Sequence, residues 1–345
     1  MNQIANIRLI SHQLSENNFK TPKEIVSWMG AMQAQDYNMA KWGIGIRIPN
    51  LTEQSIEDAF NKGEFLRTHV LRPTWHFVAP ENIRWMLELT KERIKSSSRS
   101  RDQDLEITEG LYTRCNNIIE KALTGNNHLT REELSAVLEN AGIVVDTSRM
   151  YHFIMRAEVE GIICSGAMQG KKHTYALMEE RVPQAIRLDK QEALAKLAGI
   201  YFSSHGPATL QDFVWWSGLS APESRNALEM IKKDLVSETI NSQTYWVPDS
   251  VSGHSKQNSV YLLPAFDEYI VAYKDRKAVL VSENHSKAIS SNGVFRPTIV
   301  KNGQVIGIWK KSNKKGEIIT ADFFEKPDKA TLALMAESQQ FFNLF

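Results

Sequence analysis

The chain has 345 residues, of which 42% are hydrophobic and 23% are charged, a composition typical of a globular protein with two to four domains. It contains no run of about 18 apolar residues, which predicts that it does not span a membrane, and we expect no signal peptide at its start. The net charge of +1 is low for a nucleic-acid-binding protein, and two isolated cysteines favour a reducing cytoplasm over a structural zinc site.

The first hundred residues predict three helices, a hairpin and a long helix, in that order. Apolar spacing indicates helices over residues 7–14, 21–29 and 53–61, and strands over 65–70 and 74–78. The long helix begins at Pro80 and is predicted to end near Lys95, before a loop at residues 96–98.

The next segment repeats this order more clearly. A helix is predicted over residues 111–123, and Thr130 with Glu133 forms a capping box for the following helix, which Gly142 ends. A third helix over 148–161 precedes strands at 162–165 and 175–177, which flank the basic loop that holds Lys171 and Lys172. Three helices followed by a hairpin indicate a winged helix, a helix-turn-helix with a hairpin wing.

A third copy follows, and the chain then changes character. Helices are predicted over residues 193–202 and 209–216 and after Pro222, with a hairpin at 236–240 and 244–247. Beyond it, strands are predicted over residues 260–263, 269–273, 294–300 and 304–310. Asn302-Gly303 is a strong hairpin signal, and Lys310, Lys311, Lys314 and Lys315 predict a basic tip.

These patterns predict an α+β protein in which tandem winged-helix domains precede a small C-terminal β-barrel-like domain. The expected domains are a first winged helix with the long helix at 1–105, a second winged helix at 106–185, a third at 186–255 and the β domain at 256–345. Winged helices raise the expectation of a duplex DNA partner, although such modules also bind proteins.

Two glutamines in an apolar run, Gln33 and Gln35, are the first candidate for chemistry. In an extended chain both amides would lie on one face, about 7 Å apart. An amide is a poor general base, but it can hold a water molecule and turn its carbonyl dipole toward developing positive charge. That suits hydrolysis of the glycosidic bond of an N-alkylated purine, whose leaving group is already cationic. The alternative is that both amides cap a helix or satisfy backbone groups in a turn.

A second set of candidates is basic or aromatic and is predicted to contact DNA. Residues 67–101 carry an excess of five positive charges, which would attract phosphate even in a near-neutral chain. The alternatives are a solvated helix face and, for the hairpin, a core tryptophan with a hydrogen-bonded histidine. A carboxylate pair, Asp267-Glu268, is expected to serve as a helix cap or a structural ion pair. The predicted DNA contacts are His69, Arg72, His76, Arg93, Arg99, Arg101, Lys171 and Lys172.

Three segments in this order together resemble the AlkZ-like and YcaQ-like winged-helix DNA glycosylases: Gln33-Ala34-Gln35-Asp36, Leu71-Arg72-Pro73-Thr74-Trp75-His76, and Leu262-Leu263-Pro264-Ala265-Phe266-Asp267-Glu268-Tyr269. The resemblance spans nearly the whole chain. It implies tandem winged helices and a C-terminal β domain arranged as a clamp around duplex DNA. It also implies a catalytic Gln-apolar-Gln element, as in the AlkZ branch, which corresponds here to Gln33 and Gln35.

The resulting hypothesis is a monomeric, monofunctional DNA glycosylase that removes alkylated purines and unhooks crosslinks, acting in the cytoplasm on damaged duplex DNA. No cofactor or metal is expected, and the absence of a lysine beside the glutamines predicts no lyase step. One alternative is a DNA-binding transcriptional regulator without enzyme activity. Another is a platform for protein interactions.

Overall fold

The computed structural model describes residues 2–184, 186–251, 258–312 and 317–345. The chain divides into two compact units, one formed by Met1–Glu57 with Leu194–Phe345 and the other by Asp58–Ala193. Both combine helices with antiparallel strands, which confirms the mixed α and β content. Within these described ranges, no helix is long and apolar enough to cross a bilayer. Lys314 and Lys315 of the predicted basic tip lie outside the described residues.

The unit of Asp58–Ala193 consists of helices that enclose short antiparallel strands. Its elements are β2 (Leu66–His69), β3 (Trp75–Val78), α5 (Pro80–Asp104), α6 (Glu109–Leu123), β4 (Leu129–Thr130), α7 (Arg131–Asn140), α8 (Thr147–Val159), β5 (Ile163–Ser165), β6 (Thr174–Leu177) and α9 (Met178–Arg181). β2 pairs with β3, and β6 lies between β4 and β5. The helices share an apolar core that includes Ile119, Leu134 and Phe153, each fully buried.

The predicted capping box at the start of α7 is confirmed. The Glu133 backbone N–H donates to Thr130 Oγ1 at 3.2 Å, and the Thr130 backbone N–H donates to Glu133 Oε2 at 2.7 Å. Gly142 follows the helix with a φ of +76°, the conformation that ends helices at glycine. The middle copy of the predicted repeat therefore has the helix order that its local signals indicated.

α5 is longer than predicted, and the loop expected at residues 96–98 is wrong. The Ser97 and Ser98 hydroxyls both donate to the Ile94 carbonyl, at 2.7 and 3.4 Å. A serine that bonds back to the preceding turn satisfies its own hydroxyl without leaving the helix. Ile94 is itself buried, and its packing stabilises the helical conformation of the serine run, so that α5 continues to Asp104.

The other unit is built from two parts of the chain, Met1–Glu57 and Leu194–Phe345. The chain passes from one unit to the other within α4 (Glu53–Lys62) and again within α10 (Lys190–His205). The first segment forms α1 (Asn2–Ser11), α2 (Pro22–Met29), β1 (Met32–Gln33) and α3 (Tyr37–Gly45). The second forms α11 (Leu210–Ser217), α12 (Ala221–Ile231), β7 (Leu235–Ile240), β8 (Gln243–Pro248), β9 (Val260–Leu263), α13 (Glu268–Val271), α14 (His285–Ala288), β10 (Thr298–Lys301), β11 (Gln304–Lys311), β12 (Ile319–Phe323) and α15 (Lys329–Leu344).

The C-terminal strands form one antiparallel sheet in the order β12-β11-β10-β9. The predicted turn between β10 and β11 is confirmed, with φ of +48° at Asn302 and +81° at Gly303, which suits a two-residue hairpin. The strand predicted over 294–300 begins only at Thr298, and β12 and α15 were not predicted.

The strand predicted over residues 269–273 is wrong, because that segment begins as the short helix α13. Phe266 has a φ of +58°, which turns the chain out of β9. The Asp267 side chain then accepts the Tyr269 backbone N–H at 2.9 Å and caps the helix. An apolar run of this length does not distinguish strand from buried helix by periodicity alone.

Candidate functional site

The element Gln33-Ala34-Gln35-Asp36 lies between a short strand and a helix. β1 ends at Gln33, Gln35 lies in a bend, and Asp36 caps α3 by accepting the Met39 backbone N–H at 3.1 Å. Neither glutamine is helical. Gln33 is only 8% exposed, whereas Gln35 is exposed. β1 ends at Gln33, so the regular strand alternation that predicted one shared face is observed only as far as Gln33.

A buried carboxylate holds the strand that carries Gln33. The Gln33 backbone N–H donates to Glu268 Oε1 at 2.7 Å, and the Trp216 indole N–H donates to Glu268 Oε2 at 3.1 Å. Nε2 of His205 lies 3.5 Å from the same Oε2 atom. Glu268 is 1% exposed, so its two oxygens depend on the Gln33 and Trp216 N–H groups for their hydrogen bonds.

The neighbouring carboxylate, Asp267, holds the helix that follows the glutamines. Its two oxygens accept both terminal nitrogens of Arg47 at 2.8 Å, and both side chains are buried. Arg47 also donates to the Gly43 carbonyl in α3 at 2.7 Å and to the His12 carbonyl at 2.9 Å. The expectation that Asp267-Glu268 supplies a helix cap or a structural ion pair is therefore confirmed at Asp267, which does both.

A small cavity adjoins Gln33. Its volume is about 10 Å³, at the lower limit of the space that holds one water molecule. The polar residues around it are Gln33 and the two carboxylates, Asp267 and Glu268. The lining residues are Met32, Gln33, Ala40, Gly43, Pro264, Ala265, Phe266, Asp267 and Glu268.

The predicted DNA contacts on the β2–β3 hairpin are mostly turned inward. His69 is fully buried, its Nδ1 hydrogen-bonds the Glu158 carboxylate, and its ring lies 4.5 Å from that of Trp75. His76 is also fully buried, with Nδ1 2.9 Å from the Thr74 carbonyl, and Arg72 is half-buried. This agrees with the alternative of hydrogen-bonded core histidines, and a direct contact between either imidazole and DNA would require the hairpin to open.

The remaining predicted contacts are at the surface of the Asp58–Ala193 unit. Arg93, Arg99 and Arg101 are exposed along α5, and Lys171 and Lys172 are exposed in the loop between β5 and β6. Their ion pairs are solvent-exposed: Arg101 lies 3.6 Å from Asp104, and Lys172 lies 3.5 Å from Glu132. Exposed pairs of this kind contribute little stability, so these cations can exchange partners for phosphate at low cost.

Acidification is expected to destabilise the chain. Burial lowers the pKa of His12, His76 and His205, because a charged imidazole loses its hydration inside the protein. The unfolded chain takes up these protons near pH 6.5, whereas the folded chain does not. Their stabilising contribution is therefore present above about pH 6.5 and is lost as the pH falls, at about 1.4 kcal/mol per pH unit for each proton. Urea unfolding at pH 7.5 and 5.5 measures this slope; a free energy of unfolding that is independent of pH would contradict it, and His12→Gln should reduce it.

Comparison with known proteins identifies the family. Residues 26–341 match the DNA glycosylase AlkZ-like family. The chain belongs to this family. It is 21% identical over 340 residues to the interstrand DNA cross-link repair glycosylase of Streptomyces sahachiroi, an alignment that covers 92% of this chain and 88% of that protein. The solved structure of the Streptomyces sahachiroi DNA glycosylase AlkZ superposes with a TM-score of 0.83 at 19% identity, covering 98% of this chain and 94% of that one.

Membership of the AlkZ-like family confirms the resemblance drawn from the three sequence segments. The sequence did not identify the group that holds Gln33, because Glu268 lies 235 positions away along the chain. The only signal that could have found it is its place beside Asp267 in the third segment. Trp216 and His205, which surround the carboxylate, carried no sequence signal of a site.

Proposed function

We propose that this chain is a monofunctional DNA glycosylase that hydrolyses the N-glycosidic bond of alkylated purines, including purines held in interstrand crosslinks. The observation that supports this most is Gln33, whose backbone a buried carboxylate anchors beside a small cavity of about 10 Å³ in a chain of the AlkZ-like family. The relative from Streptomyces sahachiroi, described as an interstrand cross-link repair glycosylase, supports the crosslink as a substrate.

The proposed reaction needs water placement more than acid catalysis. The oxygen of one water molecule forms a bond to C1′ of the deoxyribose, and the bond from C1′ to the purine nitrogen breaks. The electron pair of that bond neutralises the cationic alkylpurine, and the water proton passes to solvent. The carbonyl oxygens of Gln33 and Gln35 accept hydrogen bonds from the water and face the positive charge that develops on the sugar.

The proposal includes no lyase step. The lysine nearest to the glutamines in the sequence is Lys41, whose ammonium is 2.6 Å from Glu53 and 2.9 Å from Glu57. These two ion pairs engage the Lys41 side chain, whereas a Schiff-base nucleophile needs a free amine. The expected product is therefore an intact strand with an abasic site.

We further propose that the fold is a tandem array of winged helices with a C-terminal β domain, divided at residues 105, 185 and 255. The chain would act as a monomer on damaged duplex DNA in the bacterial cytoplasm and nucleoid. Exposed side chains would hold phosphate, whereas the buried His69 and His76, with Arg72, would act by shaping the hairpin or by contacting DNA once it opens. The proposed phosphate contacts are Arg93, Arg99, Arg101, Lys171 and Lys172.

Removing the two loop lysines is expected to weaken DNA binding through charge alone. Lys171→Gln/Lys172→Gln should reduce the affinity for duplex DNA at low salt and make the slope of log affinity against log salt shallower by about two. Fluorescence anisotropy over a salt series measures both. Lys326→Gln/Lys329→Gln, which removes two exposed lysines elsewhere, is the matched control. Equal slopes for both double variants would exclude the loop from the interface.

The reaction itself is tested with duplex DNA that carries N7-alkylguanine. The proposal predicts free modified base and strand breaks that appear only after alkali treatment. Strand cleavage without alkali would contradict a monofunctional enzyme. Sequence-specific footprints without base release would instead favour a regulator, which nothing in the comparisons supports.

A further inference from the structure

The buried carboxylate of Glu268 forms a hydrogen bond with the backbone of Gln33. It lies in α13, far along the chain from β1, and its Oε1 accepts the backbone N–H of Gln33 at 2.7 Å. A charge-assisted hydrogen bond of this length is stronger than a neutral one. The carboxylate also lines the small cavity that adjoins Gln33. Its contact is with the backbone of Gln33, so it can direct the amide side chain without itself occupying the place of the substrate.

The hydrogen bonds around His205 determine which of its ring nitrogens carries the proton, and therefore whether a donor or a lone pair faces Oε2 of Glu268. Ser204 Oγ donates to the Ile200 carbonyl at 2.7 Å, so it must accept from His205 Nδ1, which is 2.8 Å away. In the neutral imidazole, Nε2 then presents a lone pair toward Glu268 Oε2. The proton donors to the carboxylate are thus the Gln33 N–H and the Trp216 indole, one on each oxygen.

We propose that Glu268 is the positioning residue of the Gln33–Gln35 element. Its hydrogen bond to the Gln33 backbone N–H fixes the position from which the side-chain amide of Gln33 reaches the attacking water. This inference rests on the proposed glycosylase function. Asp267 performs the matching task on the far side of the glutamines, because its ion pair with Arg47 holds α3. Two adjacent carboxylates of one turn thereby anchor the segments before and after Gln35.

Single-turnover base release from duplex DNA carrying N7-methylguanine tests the inference with two substitutions. Glu268→Ala removes the acceptor for the Gln33 N–H and is expected to slow release about 10- to 100-fold, because a displacement of about 1 Å in a reacting group costs that much. Glu268→Gln keeps one oxygen for the Gln33 N–H, but its amino group, which faces the lone pair of His205, no longer accepts the Trp216 indole N–H. Because the acceptor for Gln33 is kept, this variant should release base faster than Glu268→Ala. Both variants should bind the duplex with unchanged affinity.

A double-mutant cycle separates positioning from general damage to the fold. If Glu268 acts through Gln33, the additional loss that Glu268→Ala causes should shrink to less than about threefold in a Gln33→Ala background. Equal losses in both backgrounds would overturn the inference. Tyr273→Phe is the matched control, because Tyr273 bridges His12 and the His205 carbonyl in the same buried region without touching Gln33. It should leave base release unchanged.

A readout that does not need activity keeps this inference separate from the proposed function. Hydrogen exchange of the Gln33 amide, followed by NMR with labelled glutamine, should be at least about tenfold faster in Glu268→Ala than in wild type. Unchanged exchange would overturn the role of Glu268 even if the wild type releases base. Faster exchange in a protein that releases no base would sustain the anchor and reject the glycosylase. If Glu268→Ala fails to fold, Glu268→Asp replaces it in this test, because the shorter side chain withdraws the carboxylate by one methylene. The Gln33 amide must then exchange faster in Glu268→Asp than in the wild type.

Discussion

Replacing Gln33 and Gln35 together with alanine is expected to slow base release by about a thousandfold or more while duplex affinity stays within about threefold. The loss follows from the proposed division of labour, in which two amides supply the water placement and the dipoles that face the oxocarbenium-like sugar. Removing one such preorganised group typically costs about 100- to 1000-fold in rate. Single-turnover release and anisotropy with the same duplex measure the two quantities.

The control for this double variant is Gln54→Ala, which removes an exposed glutamine from α4 and should leave the rate unchanged. A double variant that releases base at the wild-type rate would show that another part of the chain performs the chemistry.

Replacing Arg47 with methionine is expected to lower the free energy of unfolding by about 3–5 kcal/mol. The substitution removes one partner of a buried ion pair and leaves the Asp267 carboxylate without its cation. It also leaves the carbonyls of His12 and Gly43 without the guanidinium donor. Urea denaturation of the wild type and the variant measures the difference.

The matched comparison is Glu53→Gln, because Glu53 pairs with Lys41 at 2.6 Å but its side chain is 52% exposed. An exposed partner of this kind contributes less than about 1 kcal/mol. A loss below about 1 kcal/mol for Arg47→Met would mean that Asp267 finds another partner and that the anchor at α3 is not needed for folding.

Helix starts marked by a capping box were the part of the fold that could be predicted best, whereas the end of α5 at Asp104 was not predicted. Thr21, Thr130 and Thr209 each precede an acidic residue by three positions, and each forms the capping box that this spacing indicates. These signals lie within four residues of one another, so no knowledge of distant packing is needed to interpret them.

Segments whose structure depends on distant packing could not be predicted. The Ser96–Ser98 run resembles a loop by composition, but buried Ile94 and the serine hydroxyls keep it helical. The start of α13 depends on the positive φ of Phe266 and on Asp267, whose other partner is Arg47, 220 positions away. Local periodicity contains neither constraint.

The candidate site shows the same division. The glutamine pair could be proposed from the sequence because its two residues lie close together in the chain and belong to a recognisable family segment. The burial of His69 was not found, because its carboxylate partner Glu158 lies 89 positions away on α8. Basic and aromatic composition alone therefore cannot separate a hairpin that contacts DNA from one that packs against its own helices.

The most direct test is the unhooking of a defined N7-alkylguanine interstrand crosslink by the wild type and by the Gln33→Ala/Gln35→Ala variant, followed by denaturing electrophoresis. The proposed function predicts that the wild type separates the strands and leaves an alkali-labile abasic site, and that the double variant binds the same duplex without separating it. Strand separation at equal rates by both proteins would contradict the role of the glutamines, and none by either, with binding intact, would contradict crosslink repair by this chain.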